Sequence, residues 1–191
     1  MLKDLVIRNR SYRGYDESRC VTRDELLELV DLTRYVASGV NLQPLKYYIA
    51  WEKEVVDAIQ PLTHWAKALK DITLPHPGKC PTAFIVICHD TSVAPVTEYS
   101  LEELGAAAQT ILLGAVEKGL GGCMIGNFNA STVRDTLKLS HSLQPKLILG
   151  IGKPAEEIRI VPVGADGSTI YYRDENDIHY VPKRDLKDIV L

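Results

Sequence analysis

The stretch from Ser100 to Gly119, SLEELGAAAQTILLGAVEKG, restricts the possible folds more than any other part of the chain. Ser100 and Glu103 stand in capping-box register, so a helix is expected to start there. Apolar residues occupy nearly every face of its middle, and a helix without a polar stripe must be covered on most sides. The small side chains of Gly105, Ala106, Ala107, Ala108, Gly114 and Ala115 would let another backbone come close. A central helix packed on a sheet is therefore expected. A partner subunit against it and a purely intrachain core fit these residues equally well.

The remaining segments supply that sheet. Tyr47–Trp51 and Ala83–Cys88 are short runs rich in β-branched and aromatic residues, each bounded by turn formers, and read as buried strands. Cys123–Ile125 and Lys146–Ile151 read the same way. Thr22-Arg23-Asp24-Glu25 is a capping box, followed by Leu26, Leu29, Val30 and Thr33 at helical spacing until the pattern dissolves near Ser38-Gly39. Helices are also expected over 53–59 and 131–139, and the segment Leu74 to Gly78 is expected to be a mobile loop. A hairpin is expected from Thr169–Arg173 and Ile178–Val181 around Asp174–Asp177, with a short helix after Pro182-Lys183-Arg184. Strands alternating with helices indicate a mixed α/β core, and 191 residues suffice for one domain spanning 1–191.

Apolar residues make up 46% of the chain and the net charge is -3, so neither nucleic acid nor an anionic membrane is expected as a partner. The segment MLKDLVIRNR lacks the apolar run of a secretory signal, and no 18 consecutive apolar residues occur, which gives the expectation of a cytoplasmic chain. Cys20, Cys80, Cys88 and Cys123 are scattered without metal-ligand spacing. They read as core fillers or incidental thiols, and no metal site is expected.

Four segments could carry chemistry. In Arg8-Asn9-Arg10-Ser11-Tyr12-Arg13, three guanidinium groups and a hydroxyl could cradle a phosphate, or the arginines could be a solvated helix end complementing the macrodipole. In Ser38-Gly39-Val40-Asn41-Leu42-Gln43-Pro44, amide side chains could meet the edge of a heterocycle or simply satisfy a helix-to-strand connection. Gly119-Leu-Gly121-Gly122 and Ile125-Gly126 do not stand in the strand-to-helix order of a dinucleotide fingerprint. Glycine there would instead permit a tight turn and close approach of backbone N–H groups to a flat ligand. Lys183-Arg184 is a basic pair for which plain surface is the stronger reading. His141 and His179 read as loop and strand surface residues.

Taken in order, these segments resemble the nitroreductase family of FMN enzymes over essentially the whole chain. The carrying motifs are Asn9-Arg10-Ser11-Tyr12-Arg13, Ala37-Ser38-Gly39-Val40-Asn41-Leu42-Gln43-Pro44-Leu45, the Ala-rich stretch Ala106 to Gly126, Gly150 to Pro154, and Lys183-Arg184. The resemblance implies an α+β fold, a central β-sheet flanked by helices, in a homodimer that shares its FMN sites. It implies that Arg10, Ser11, Lys183 and Arg184 hold the FMN phosphate and ribityl end, and that Arg13 reaches the flavin N1/O2 edge. Ser38, Asn41 and Gln43 would line the pyrimidine ring or reach it from the partner subunit, with the backbone at Ile125 and Gly126 near N5 and O4. Asn9, Ala37 and Leu45 depart from the family's arginine, proline and tryptophan, and Arg8 could stand in for the missing guanidinium.

The same resemblance implies an oxidoreductase passing electrons from NAD(P)H to a small acceptor, such as a nitroaromatic or a quinone, by a ping-pong mechanism. The redox chemistry would be the flavin's, so no side chain is expected as nucleophile or general acid. A guanidinium at the ring edge would stabilise the charge of the reduced ring. Two other readings stay open: a relative with divergent chemistry such as reductive dehalogenation, and a flavin-binding or sensing protein without turnover.

Overall fold

Five α-helices and eight strands, with four short 3-10 helices between and after them, make up the computed structural model, which describes residues 1–69 and 71–191. In chain order the α-helices and strands are α1 (Leu2–Arg8), β1 (Tyr15–Asp16), α2 (Arg23–Asp31), β2 (Leu45–Ala50), α3 (Lys53–Ile59), β3 (Ala83–Asp90), α4 (Ser100–Glu117), β4 (Gly121–Ile125), α5 (Ala130–Thr136), β5 (Leu143–Pro154), β6 (Ile158–Pro162), β7 (Tyr172–Arg173) and β8 (His179–Lys183). β5 is the axis of the main sheet: β3 pairs along one edge, β4 along the other, and β1 with its last residues, while β2 closes the β3 side. Every one of these pairings is antiparallel.

Helices cover both faces of this sheet. Ala83, Ile85 and Ile87 of β3 point into a cluster with Leu26 and Leu29 of α2 and Ala108, Ile111 and Ala115 of α4. Phe84, Val86 and Cys88 alternate to the opposite side, against Val56 and Ile59 of α3 and Val133 of α5. Burial on two faces explains why β3 is a continuous apolar run instead of an alternating one. The fold is the expected α+β arrangement.

The long helix divides its small residues between two surroundings. Ala107, Ala108, Gly114 and Ala115 are buried inside the chain, and a Cβ on Gly114 would stand 2.5 Å from the Leu32 side chain. Gly105 and Ala106 face solvent, with open space around Gly105.

Local signals fared unevenly. The Thr22–Glu25 box forms as expected, with the Thr22 hydroxyl accepting from the Glu25 N–H and the Glu25 carboxylate accepting from the Thr22 N–H. The Ser100–Glu103 box does not form. Tyr99 is the N-cap, the Ser100 hydroxyl accepts from the Thr97 N–H, and Glu103 turns to the loop before β2. α5 stops at Thr136, short of Leu139, because Lys138 takes a left-handed conformation and the Leu139 N–H returns to the Arg134 carbonyl.

A second, three-stranded sheet completes the chain. β7 and β8 form the expected hairpin, while β6, absent from the sequence reading, pairs parallel to β8. After it, where a short helix is expected, Leu186–Asp188 forms a single 3-10 turn. Among the described residues, no helix is long and apolar enough to cross a membrane.

Candidate functional site

The segment after α1 runs between the two sheets. Ser11 forms a bridge with Gly122 at the start of β4, where the Tyr12 N–H donates to the Gly122 carbonyl at 3.1 Å. The Arg13 N–H donates to Glu156, whose carboxylate also pairs with the Arg173 guanidinium; both acidic and basic side chains of that pair are almost fully buried. Arg173 also reaches Asp177 at 2.8 Å. This ion pair ties the motif segment to the small sheet and sets one wall of a pocket against the other.

That pocket, of about 260 Å³, is lined by Asn9, Arg10, Ser11 and Arg13 from one side and by Ile158, Tyr171, His179, Val181 and Lys183 from the other. The second wall follows from strand geometry. Successive β-strand side chains alternate, so His179, Val181 and Lys183 share one face of β8. Tyr180 takes the other face, stacked on Tyr172 and donating to Asp174 at 3.1 Å.

Charge and hydrogen bonding give the pocket a single character. Arg10 donates to the Val6 carbonyl at 2.9 Å, capping α1, while its Nε is buried without a partner. Arg10 thus caps the helix end and also lines the pocket. Burial lowers the Arg10 guanidinium from its ordinary value. Arg13 donates to the Ser11 carbonyl at 3.2 Å, stacks over the Tyr171 ring at 5.1 Å, and also has a buried, unpartnered Nε. Arginine and lysine only donate hydrogen bonds, so this wall offers donors to an acceptor-rich, negatively charged ligand.

Arg8 is exposed and outside the pocket wall, and Asn9 occupies the place beside Arg10. Lys183 lines the pocket, whereas its neighbour Arg184 is exposed and lies outside the wall. His179 corrects the sequence reading: it is on a strand but only 2% exposed, because the alternation of β8 turns it inward. Its ring lies 5.2 Å from that of Tyr171. Burial, and then the charges of Arg13 and Arg173, push its imidazole down to about 4.

Ser38, Asn41 and Gln43 line a different pocket, of about 220 Å³, with Thr33, Arg34, Tyr47 and Glu103 among its other residues. Glu103 organises it, accepting from the Ser38 hydroxyl at 3.1 Å and from the Gly39 N–H. The Ser38 hydroxyl in turn accepts from the Gln43 N–H at 2.9 Å, and the Gln43 amide donates to Asn41 Oδ1 at 3.1 Å. Val40, Asn41 and Gln43 all adopt left-handed backbone conformations, and Val40 is 94% exposed. A β-branched residue there is strained by roughly 1–2 kcal/mol. Strain in a solvent-facing polar loop is a mark of functional sites.

β4 runs beside the first pocket. Gly119 provides the tight turn that ends α4, with φ 73°. Gly121 and Gly122 serve the chain's own packing, not a ligand: a Cβ on either would clash with Tyr12 and Pro154, or with Leu112 and the Gly150 carbonyl. Gly126 is exposed with open space around it, while the Ile125 side chain is in the core. Ile125 is three residues beyond Gly122, or about 10 Å along the strand.

Residues 7–153 match the family model described as the nitroreductase family. A Methanothermobacter thermautotrophicus protein, provisionally named an NADH dehydrogenase/NAD(P)H nitroreductase, is 24% identical over 151 residues, which is 77% of this chain and 74% of that protein. Among solved structures, a nitroreductase family protein from Clostridium novyi NT superposes with a TM-score of 0.67 at 15% identity, covering 100% of this chain and 99% of its own. An FMN-dependent nitroreductase from Clostridium difficile R20291 superposes with a TM-score of 0.63 at 22% identity, covering 80% and 87%.

Proposed function

The chain belongs to the nitroreductase family, and from that premise we propose that it is an FMN-dependent oxidoreductase carrying electrons from NAD(P)H to a small oxidised acceptor, as one domain spanning 1–191. The observation that carries this reading is the donor-rich, cationic pocket between Arg10, Ser11, Arg13 and Lys183. The buried, unpartnered guanidinium nitrogens of Arg10 and Arg13 call for electron-rich oxygens, and the phosphate and ring-edge oxygens of FMN fit that donor set. The names of the relatives support the cofactor and the NAD(P)H donor.

FMN, when bound, supplies the electron-carrying centre. Arg10, Ser11 and Lys183 hold the phosphate and ribityl end, and Arg184 adds its charge from outside the wall. Arg13, held by the Ser11 carbonyl and the Tyr171 ring, would supply a fixed positive charge to the N1/O2 edge. The strand end at Ile125 and Gly126, with open space around Gly126, would offer its backbone to the N5/O4 side of the ring. Donor and acceptor occupy the same place in turn, which gives ping-pong kinetics.

Ser38, Asn41 and Gln43 complete the site from the second protomer of a homodimer. Their pocket is separate from the cationic one, and the strained loop faces solvent. Surface area supports the dimer as well: a compact monomer of this mass exposes about 9,000 Å², and this chain exposes 11063 Å². An excess of about 2,000 Å² is of the size that obligate interfaces cover. Leu2, Leu101, Leu186 and Ile189 are large apolar residues in that exposed area.

The test is spectroscopic. Purified protein should take up FMN, become yellow, and bleach anaerobically on addition of NADH or NADPH. Protein that binds FMN but stays oxidised with both nucleotides overturns the reductase assignment in favour of a binding module, and protein that takes up no FMN overturns the reading altogether.

A further inference from the structure

His179 lies in the wall that the family match does not reach, since residues 7–153 end before the small sheet. Its hydrogen-bonding state can be deduced from its neighbours. The Arg13 guanidinium, 3.4 Å from Nε2, has only protons to give, so Nε2 must be the acceptor. In a neutral imidazole the proton then resides on Nδ1, and that nitrogen is buried without a partner. His89, the other buried histidine with an unpartnered Nδ1, is the reverse case: its Nε2 faces the Ala94 carbonyl and must donate, leaving Nδ1 a bare acceptor. His179 therefore carries an unsatisfied donor in the wall of a pocket that Arg10, Ser11, Arg13 and Lys183 also supply with donors, beside the amide of Asn9 and the hydroxyl of Tyr171.

We propose that His179 is a phosphate-binding residue of this site, its neutral ring donating Nδ1–H to the ligand's phosphate ester while Nε2 accepts from Arg13 and fixes that guanidinium. The inference rests on the FMN reading of the pocket and adds to it a neutral donor from β8. A third strong cation beside Arg13 and Arg173 would be repelled, whereas a neutral ring can sit between them and still satisfy an oxyanion. It also gives the alternation of β8 a use, since Lys183 and His179 then face one phosphate from one strand.

Three substitutions separate the two nitrogens. His179→Asn retains a donor near the Nδ1 position, His179→Gln retains an acceptor near the Nε2 position, and His179→Phe removes both. The affinity of the full-length protein for FMN and for riboflavin, which lacks the phosphate, is measured by quenching of flavin fluorescence. The proposal expects FMN binding to weaken roughly tenfold or more in the Phe and Gln variants and to be largely recovered in Asn, with a much smaller loss for riboflavin, which shares only the ring edge that Arg13 meets. Wild-type FMN affinity in the Phe variant overturns it, as does an Asn variant no better than Gln, or an equal loss for riboflavin. A wild-type protein that binds neither flavin overturns the FMN reading itself, and this inference with it.

Discussion

The cationic pocket and the amide loop were both expected to bind one flavin, yet the chain builds them in opposite ways. The first has two facing walls, locked by the buried Glu156–Arg173 pair and by strand pairing on both sides. The second is a pocket of similar size whose rim is an exposed turn with three left-handed residues, tethered through Glu103. A complete pocket needs only its ligand. An exposed, strained, polar loop has its groups ordered for something the single chain does not supply, and a second protomer is the occupant proposed above.

The largest effect should come from removing the cations of the closed pocket. Arg10→Ala combined with Lys183→Ala should weaken FMN binding by roughly 3–6 kcal/mol, on the order of 10²–10⁴-fold. Sedimentation should still show the assembly of the wild type. Unchanged affinity in a fluorescence titration would mean that the phosphate binds elsewhere. Next, Glu156→Ala leaves the Arg173 guanidinium buried without its main partner and should cost about 3–5 kcal/mol in denaturant unfolding. A loss below about 1 kcal/mol would show that the walls are not locked by this pair.

The His179 imidazole gives a pH signature of the same pocket. Its folded value near 4 lies below the 6.5 of a free histidine, so between these values the unfolded chain binds a proton that the folded chain does not. Stability is fully retained above about pH 6.5 and falls as pH drops toward 4, by up to about 3 kcal/mol. The groups acting on it are Arg13 and Arg173, which lower its value, and Asp177, which opposes them. Denaturant unfolding across this range should be steeper in wild type than in His179→Phe, and parallel curves would contradict the burial argument. The smallest effect is expected in the open region. Glu103→Gln keeps the side chain's size but removes its charge, and should weaken FMN binding by about 1 kcal/mol, or roughly fivefold. No change would remove Glu103 from the site.

Legibility in the sequence followed the locality of each interaction. The Thr22–Glu25 box and the two-faced burial of Ala83–Cys88 are set by neighbours in the chain and could be read directly. β5 was read as 146–151 but spans Leu143–Pro154, because residues that usually end strands have tertiary explanations here. Pro145 lies at the register shift opposite Ile87 and Cys88, while Gly150 and Gly152 make room for the rings of Trp65 and Tyr15. β6 was missed because its partner β8 lies about twenty residues away and pairs in parallel, which no local pattern announces.

In the candidate site, Arg10, Ser11, Arg13 and Lys183 were visible as charged or hydroxyl residues, and the structure brings them together. His179 was visible too, but as a lone histidine it read as surface. The signal that could have placed it was alternation, since it stands four residues before Lys183 on the same strand face. The spacing of Glu103 to Ser100 imitates a cap, and only the packing of α4 against the Ser38 loop reveals where its carboxylate goes.

The claim that two protomers share each site is tested most directly by complementation. Protein carrying Arg10→Ala and Lys183→Ala is mixed, under conditions that exchange subunits, with protein carrying Asn41→Ala and Gln43→Ala. In a shared-site dimer, random exchange puts one intact site in each mixed dimer, so about a quarter of all sites should regain wild-type FMN affinity. Binding no greater than the average of the two parents would contradict the account and place each flavin within a single chain.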